Sequence, residues 1–405
     1  MTSSTVDDQG LLHEPHGRSP AGAVWWPMKI TRIEPLPVSA GGAAFFLVVV
    51  HTDEGLHGLG EVGIRSRPAT VAGAVRDVAE RAVGADVTRI EHLWQLLYRG
   101  AFFPADRDVG AVLAAVDLAL WDLRGKALGV PVCDLLGGRT RDHVPAYVHL
   151  NGYEPEEYLD NAHRLVAAGW TNLRIAVGDQ PGGVFEPRRA LRRTLDVVAA
   201  LRAGLDDDIE IIIDVHTRLD PAEAVLFCHE VTAMRPLFVE DPLRCENLDA
   251  YRSLRQRTTV PLAAGEQLTT KWEFRQLIED DLIDHARIDL ANTGITEGRK
   301  IAAMAEAHYI SVATHNPLGP VCTAASTHVN LSLPNVSVQE QTRPHGWDDA
   351  LVLAAPRVEA GTVVPADLPG LGVEIDLDAA RSAASTVALG PPARFHRPDG
   401  SVTNW

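Results

Sequence analysis

The sequence predicts a parallel α/β barrel joined to a smaller α+β unit, and three observations carry that prediction. From about Val144 onward, short apolar runs alternate with amphipathic helical stretches. There are eight such runs: VPAYVHL, NLRIAV, IEIIIDVH, PLFVED, LAAGEQ, HARIDL, YISVATH and VSVQEQ. Each carries toward its end a polar residue capable of chemistry, in order His149, Arg174, Asp214, Glu240, Glu266, Asp289, His315 and Glu340. These recur at roughly one βα length, ~25 residues, with one longer step before Asp214, so a barrel would bring them to one rim.

Taken in order, residues 1–27 are rich in Gly, Ser and Pro and are expected to be a disordered leader without a secretory signal. Residues 28–143 read as α+β. The strand-like KITRIEPLPV, FFLVVVHT and LHGLGEVG, the last two joined by the turn DEG, precede the helical VAGAVRDVAERAVG and DVGAVLAAVDLALWDLRGKALG. In the last of these, Val109, Val112, Leu113, Val116, Leu120 and Leu123 recur at three- and four-residue spacing, and Gly129 is placed to end the helix. Residues 144–345 hold the barrel. Its longer step, GDQPGGVFEPRRALRR and a helix, is expected to help close the site. Residues 346–405 carry Pro and Gly turn signals and are expected to return to the amino-terminal domain.

The chain has 405 residues, 46% hydrophobic and 22% charged, enough for a sizeable core. A net charge of -17 argues against a nucleic-acid partner and suits cations. Cys133, Cys228, Cys245 and Cys322 lie too far apart for a zinc or disulfide framework and are read as reduced thiols. No run reaches the length of a membrane span, and a cytoplasmic protein is expected.

Carboxylates on three successive strand ends, Asp214, Glu240 and Glu266, form an all-oxygen set for Mg²⁺, with Mn²⁺ as a substitute and buried ion pairs as the plainer reading. Strand alternation points Asp241 away from Glu240 and puts His216 on the side of Asp214. Asp289 lies one unit before His315 and can orient its imidazole. Arg174 stays protonated and is read as binding substrate oxygens rather than as a base. His229, His285, His308 and His328 are read as structural.

The motifs DVH, FVEDP, GEQ, RID, THNPLGP and QEQ, in this order, resemble the enolase superfamily, its mandelate racemase-like subgroup, and in particular galactonate and mannonate dehydratases. The likeness runs from Met28 to Trp405 and includes AVDLALWDLRGKALGVPVCDLLGG and PGLGVEIDLDAA. It implies a modified (β/α)7β TIM-type barrel with an α+β capping domain formed from both chain ends, one Mg²⁺ per active site and a homo-oligomer. It also implies dehydration of an aldonic acid to a 2-keto-3-deoxy acid, begun by removing the proton α to the carboxylate while Mg²⁺ holds the enediolate. In that scheme His315 is the base, Asp289 its partner, His216 the general acid, and Glu340 touches the substrate or the proton path. His149 and Arg287 match substrate-contacting positions of mannonate dehydratases, with a structural role as the alternative. The mannonate branch has a tyrosine after its second strand and no aspartate at the place of Asp289, so the pattern is mixed and leans to galactonate. An acid-sugar epimerase, or an idle barrel that only binds acid sugars, stand as the competing readings.

Overall fold

A computed structural model describes residues 27–404 apart from 65, 179–182, 348, 385–386, 388 and 390–394. Most of the expected leader, residues 1–26, therefore lies outside the described residues. The capping domain begins with β1 (Ile30–Ala40), β2 (Ala43–Thr52) and β3 (His57–Glu61), an antiparallel sheet in sequence order. Helices α1 (Pro68–Ala82), α2 (Ile90–Arg99), α3 (Arg107–Leu128) and α4 (Val132–Leu135) follow.

Asp106 caps α3 by accepting from the Val109 N–H at 3.1 Å, and Gly129 ends it at φ 70° as its position predicts. The expected stripe of α3 is buried from Val112 to Leu123, with Val109 half-buried, but burial extends round most of the helix. The reason is that α3 is packed between the β1–β3 sheet and the barrel. A Cβ on Gly60 would stand 1.7 Å from the Ala115 carbonyl oxygen, so only glycine lets sheet and helix meet this closely.

The barrel strands are β4 (Val144–His149), β5 (Asn172–Ala176), β6 (Glu210–Asp214), β7 (Phe238–Glu240), β8 (Leu262–Ala264), β9 (His285–Ala286), β10 (Ser311–Thr314) and β11 (Val336–Gln341). All pair in parallel with their neighbours, and β11 pairs with β4 to close the ring. Between them run α5 (Pro155–Ala167), α6 (Pro187–Gly204), α7 (Pro221–Thr232), α8 (Asp249–Arg255), α9 (Lys271–Glu279), α10 (Leu290–Ala307) and α11 (Pro320–Ser332). Eight strands with seven intervening helices is the (β/α)7β form. Inward residues Tyr147, Ile212, Phe238, Ala263, Ala313 and Val338 fill the lumen.

After the barrel come β12 (Val352–Ala354), β13 (Arg357–Glu359), β14 (Thr362–Val364), β15 (Glu374–Ile375) and α12 (Leu377–Ala383). This tail divides rather than simply returning to the cap. Strand β14 pairs antiparallel with Val144 and Pro145, the end of β4 that β11 does not reach. Farther along, Gly370 accepts from the Val132 N–H and the Leu371 N–H donates to Asp122 of the cap, and Arg381 of α12 reaches Glu34, at 2.8 and 3.0 Å. Further on, His396 bridges to Val184 in the loop after β5. Among the described residues no helix is long and apolar enough to cross a membrane, and the four cysteines are free thiols, with Cys245 alone only partly buried.

Candidate active site

The polar residues expected at the strand ends converge on one rim, but not all from within strands. His149, Asp214 and Glu240 are the last residues of β4, β6 and β7, whereas Glu266, Asp289 and His315 lie just beyond β8, β9 and β10. Asp214 and Glu240 are register partners on neighbouring strands. Gly265, at φ 133°, turns the chain to present Glu266.

Glu240, Asp241 and Glu266 each bring a carboxylate oxygen to within 4.8 Å of the other two. Asp241 is thus in the cluster, against the expectation from strand alternation. The strand ends at Glu240, and Asp241 takes a left-handed φ of 36°. Its N–H donates to the Ala263 carbonyl at 2.9 Å and its own carbonyl accepts from the Thr217 N–H at 2.7 Å. Alternation holds only while the chain stays extended, so it fails at this first residue past the strand.

Asp214 stands beside this cluster in a buried ion pair with Arg174, and its Oδ1 accepts from the His216 N–H at 2.8 Å. The His216 imidazole faces the same carboxylate, Nε2 to Oδ2 at 3.0 Å, and lies 2.9 Å from Arg174 Nη2. Here the expected placement is reached by another route: His216 has φ 52°, a turn rather than strand alternation. Burial pushes the His216 imidazole down to about 4; Asp214 opposes this while Arg174 adds to it.

Across the barrel, four strands on, His315 Nδ1 is 2.8 Å from Asp289 Oδ2. Asp289 is itself held, its Oδ1 capping α10 at the Ala291 N–H and its Oδ2 accepting from the Asn292 amide. That leaves His315 Nε2 facing the acidic cluster, 3.2 Å from Glu266 Oε2 and 4.0 Å from Glu340 Oε2. Burial opposes its charge, but Glu266, Glu340 and Asp289 together hold the imidazole up to about 10.

Arg287, expected to contact substrate, is fully buried beneath the cluster. Its guanidinium donates to Glu240 Oε1 (2.6 Å), Glu340 Oε2 (2.9 Å), the Tyr147 hydroxyl (2.7 Å) and the Ala313 carbonyl (2.9 Å). The small side chains of Ala263 and Ala313 on β8 and β10 leave it room in the lumen, so it acts as a brace. Glu340 also accepts from the Asn316 N–H at 2.9 Å and pairs with His149 at 2.8 Å. Burial would raise the Glu340 carboxyl, yet His315, His149 and Arg287 hold it well below the usual range. Strand alternation turned Asp241 away from the site, and the sequence pattern singled out neither Tyr147 nor Asn316; the adjacency of Asn316 to His315 in THNPLGP was the available signal.

The donor set fits a hard divalent cation. Glu240 Oε2 and Asp241 Oδ2 are buried oxygens without a hydrogen-bond partner, a costly state that a cation would relieve. Two hollows reach the rim. One, of about 470 Å³, lies between Ile64 and Arg107 of the cap and the barrel residues Arg244, Glu266 and Asn292. The other, of about 260 Å³, is bounded by His149, Arg174, Tyr153 and Arg193.

Residues 26–137 match the family described as mandelate racemase/muconate lactonizing enzyme, N-terminal domain, and residues 157–380 match the enolase C-terminal domain-like family. A D-mannonate dehydratase from Sphingomonas sp. (strain SKA58) is 37% identical over 91% of this chain and 98% of its own length. A D-galactonate dehydratase from Ralstonia nicotianae is 35% identical over 93% of this chain and all of its own. An enolase from Pantoea ananatis, solved with bound D-gluconate and Mg, superposes with a TM-score of 0.85 at 28% identity, covering 93% of this chain and 100% of that one. Both halves of the chain thus match, and it belongs to the mandelate racemase-like subgroup of the enolase superfamily.

Proposed function

We propose that this protein dehydrates an aldonic acid of the galactonate type to a 2-keto-3-deoxy acid, with Asp214, Glu240 and Glu266 holding Mg²⁺. The observation that carries the reading is the placement of the Asp289–His315 dyad and of His216 on opposite sides of one acidic cluster, four strands apart in an eight-strand ring. Bound there, a divalent cation supplies positive charge against the second negative charge that α-proton removal places on a carboxylate. The similarity to dehydratases of galactonate and mannonate supports the substrate class.

His315 Nε2 takes the C2 proton, and Asp289 fixes the tautomer that leaves Nε2 open. With Glu266 committed to a cation, its charge would no longer add to that of Glu340 and Asp289 in sustaining the imidazolium, and His315 would be freer to act as a base. His216 gives its proton to the C3 hydroxyl as the C3–O bond breaks, so water leaves, and the resulting enol tautomerises, gaining a proton at C3 and losing the one on its C2 hydroxyl, to give the keto acid. For that role His216 must first be charged. Burial, with Arg174 adding to it, holds its affinity for protons down, so a proton carried there is readily given up to the leaving hydroxyl.

The test is a screen of aldonic and aldaric acids with Mg²⁺ in deuterated water. We expect 2-keto-3-deoxy product from an aldonic acid. His315→Asn should lose both turnover and exchange at C2, while His216→Asn should lose about 10²- to 10⁴-fold in turnover and retain exchange. Deuterium in recovered substrate without keto acid from the wild type would turn the reading to an epimerase.

A further inference from the structure

Asp241 is the buried acid of the rim for which neither the fold nor the proposed proton transfers has a use. Its backbone is left-handed, a conformation uncommon for residues other than glycine, and hydrogen bonds on both sides of the residue hold it there. That conformation carries its side chain off the strand's alternation and into the cluster with Glu240 and Glu266.

The carboxyl is only 4% exposed. Its Oδ1 accepts from the Tyr251 hydroxyl at 3.4 Å, while Oδ2 has no partner. The neighbouring charges leave it unmatched as well. Arg174 pairs with Asp214, Arg287 is divided between Glu240 and Glu340, and His315 stands against Glu266, Asp289 and Glu340. Among the described residues no ion pair includes Asp241. A strained backbone and an unmatched buried acid with an orphaned oxygen, set among two further carboxylates, are what a cation would reconcile.

We infer that Asp241 is a fourth acidic residue of the cation site, contributing to the affinity for the ion and not to proton transfer. The inference rests on the proposed cation site, and it is independent of which sugar acid, if any, is dehydrated. Its role is to add negative charge next to Glu240, whose own charge Arg287 partly neutralises.

The test is binding of Mn²⁺ to the metal-free full chain, followed by the loss of the free-ion electron paramagnetic resonance signal. Asp241→Asn keeps a residue that tolerates the left-handed region. Asp241→Gly keeps the backbone freedom and removes the amide too. We expect both variants to fold without metal, as judged by circular dichroism, and to bind Mn²⁺ at least tenfold more weakly than the wild type. A smaller loss overturns the inference, as does failure of both variants to fold without metal, which would make Asp241 a scaffold acid. If the wild type binds Mn²⁺ through Asp241 yet dehydrates nothing, the inference stands and the proposed activity falls.

Discussion

At the scale of single residues, the rim is a set of acids and bases whose protonation is decided by burial and by one another. His315 sits among Glu266, Glu340 and Asp289, which hold its proton on to about 10, while burial and the neighbouring Asp241 and Asp214 push the Glu266 carboxyl up. The pair therefore retains a proton at neutral pH in the metal-free protein. For His315 the folded value lies above the unfolded one near 6.5, so its contribution to stability is complete below that pH and is lost as pH rises toward 10. Glu266 acts in the same direction, its burial becoming costlier above the ordinary carboxylate range. The loss from Glu266 begins above about pH 4.5, and above about pH 6.5 both groups in the metal-free protein lose their contribution together. Cation binding near neutrality should release about one proton. Calorimetric titration with MgCl₂ in two buffers of different ionisation heat checks this, and equal heats in the two buffers would refute it.

At the scale of elements, the lumen of the barrel carries a brace that no single strand reveals. Arg287, just past β9, joins Glu240 on β7 to Glu340 on β11 and meets the Tyr147 hydroxyl on β4. Removing one partner of a buried charged network costs far more than the network gains over an apolar core, about 3–5 kcal/mol. Arg287→Met should lower stability by that order in urea unfolding, and adding Glu340→Gln should restore part of it. A loss below about 1 kcal/mol would show that water, and not Arg287, satisfies the two carboxylates. Strand positions were legible because each apolar run has the period and length of a buried strand. The brace was not, because which polar residue points inward below the rim depends on the size of neighbours such as Ala263 and Ala313, far away in the chain.

At the scale of the whole molecule, the capping domain holds the barrel through buried acids. Glu61, at the end of β3, accepts from the Gly319 and Cys322 N–H groups at the start of α11, and Asp117 of α3 accepts from the Thr296 N–H in α10 at 2.9 Å. Both helices follow the loops that carry the dyad, and at the start of α11 the negative charge of Glu61 is favourable. Glu61→Gln turns one acceptor into a donor facing an N–H. It should destabilise the chain by about 1–3 kcal/mol, read as a lowered Tm by circular dichroism. An unchanged Tm would mean that the docking of cap on barrel does not depend on this contact.

What the sequence by itself determined is what local period and chain direction dictate. Eight apolar runs with polar ends make parallel strands, parallel strands share one rim, and so His149, Asp214, Glu240, Glu266, Asp289, His315 and Glu340 converge. The helix end at Gly129 belongs to the same class, since it is settled within a few residues. The tertiary structure alone decided what depends on backbone turns past the strand ends and on charges meeting across the ring. It brought Asp241 into the acidic cluster, set Arg174 against Asp214, buried Arg287 as a brace and split the tail between barrel and cap. Strand alternation stops where the extended chain stops, and the pairing of buried charges is chosen among residues that are close in space but distant along the chain.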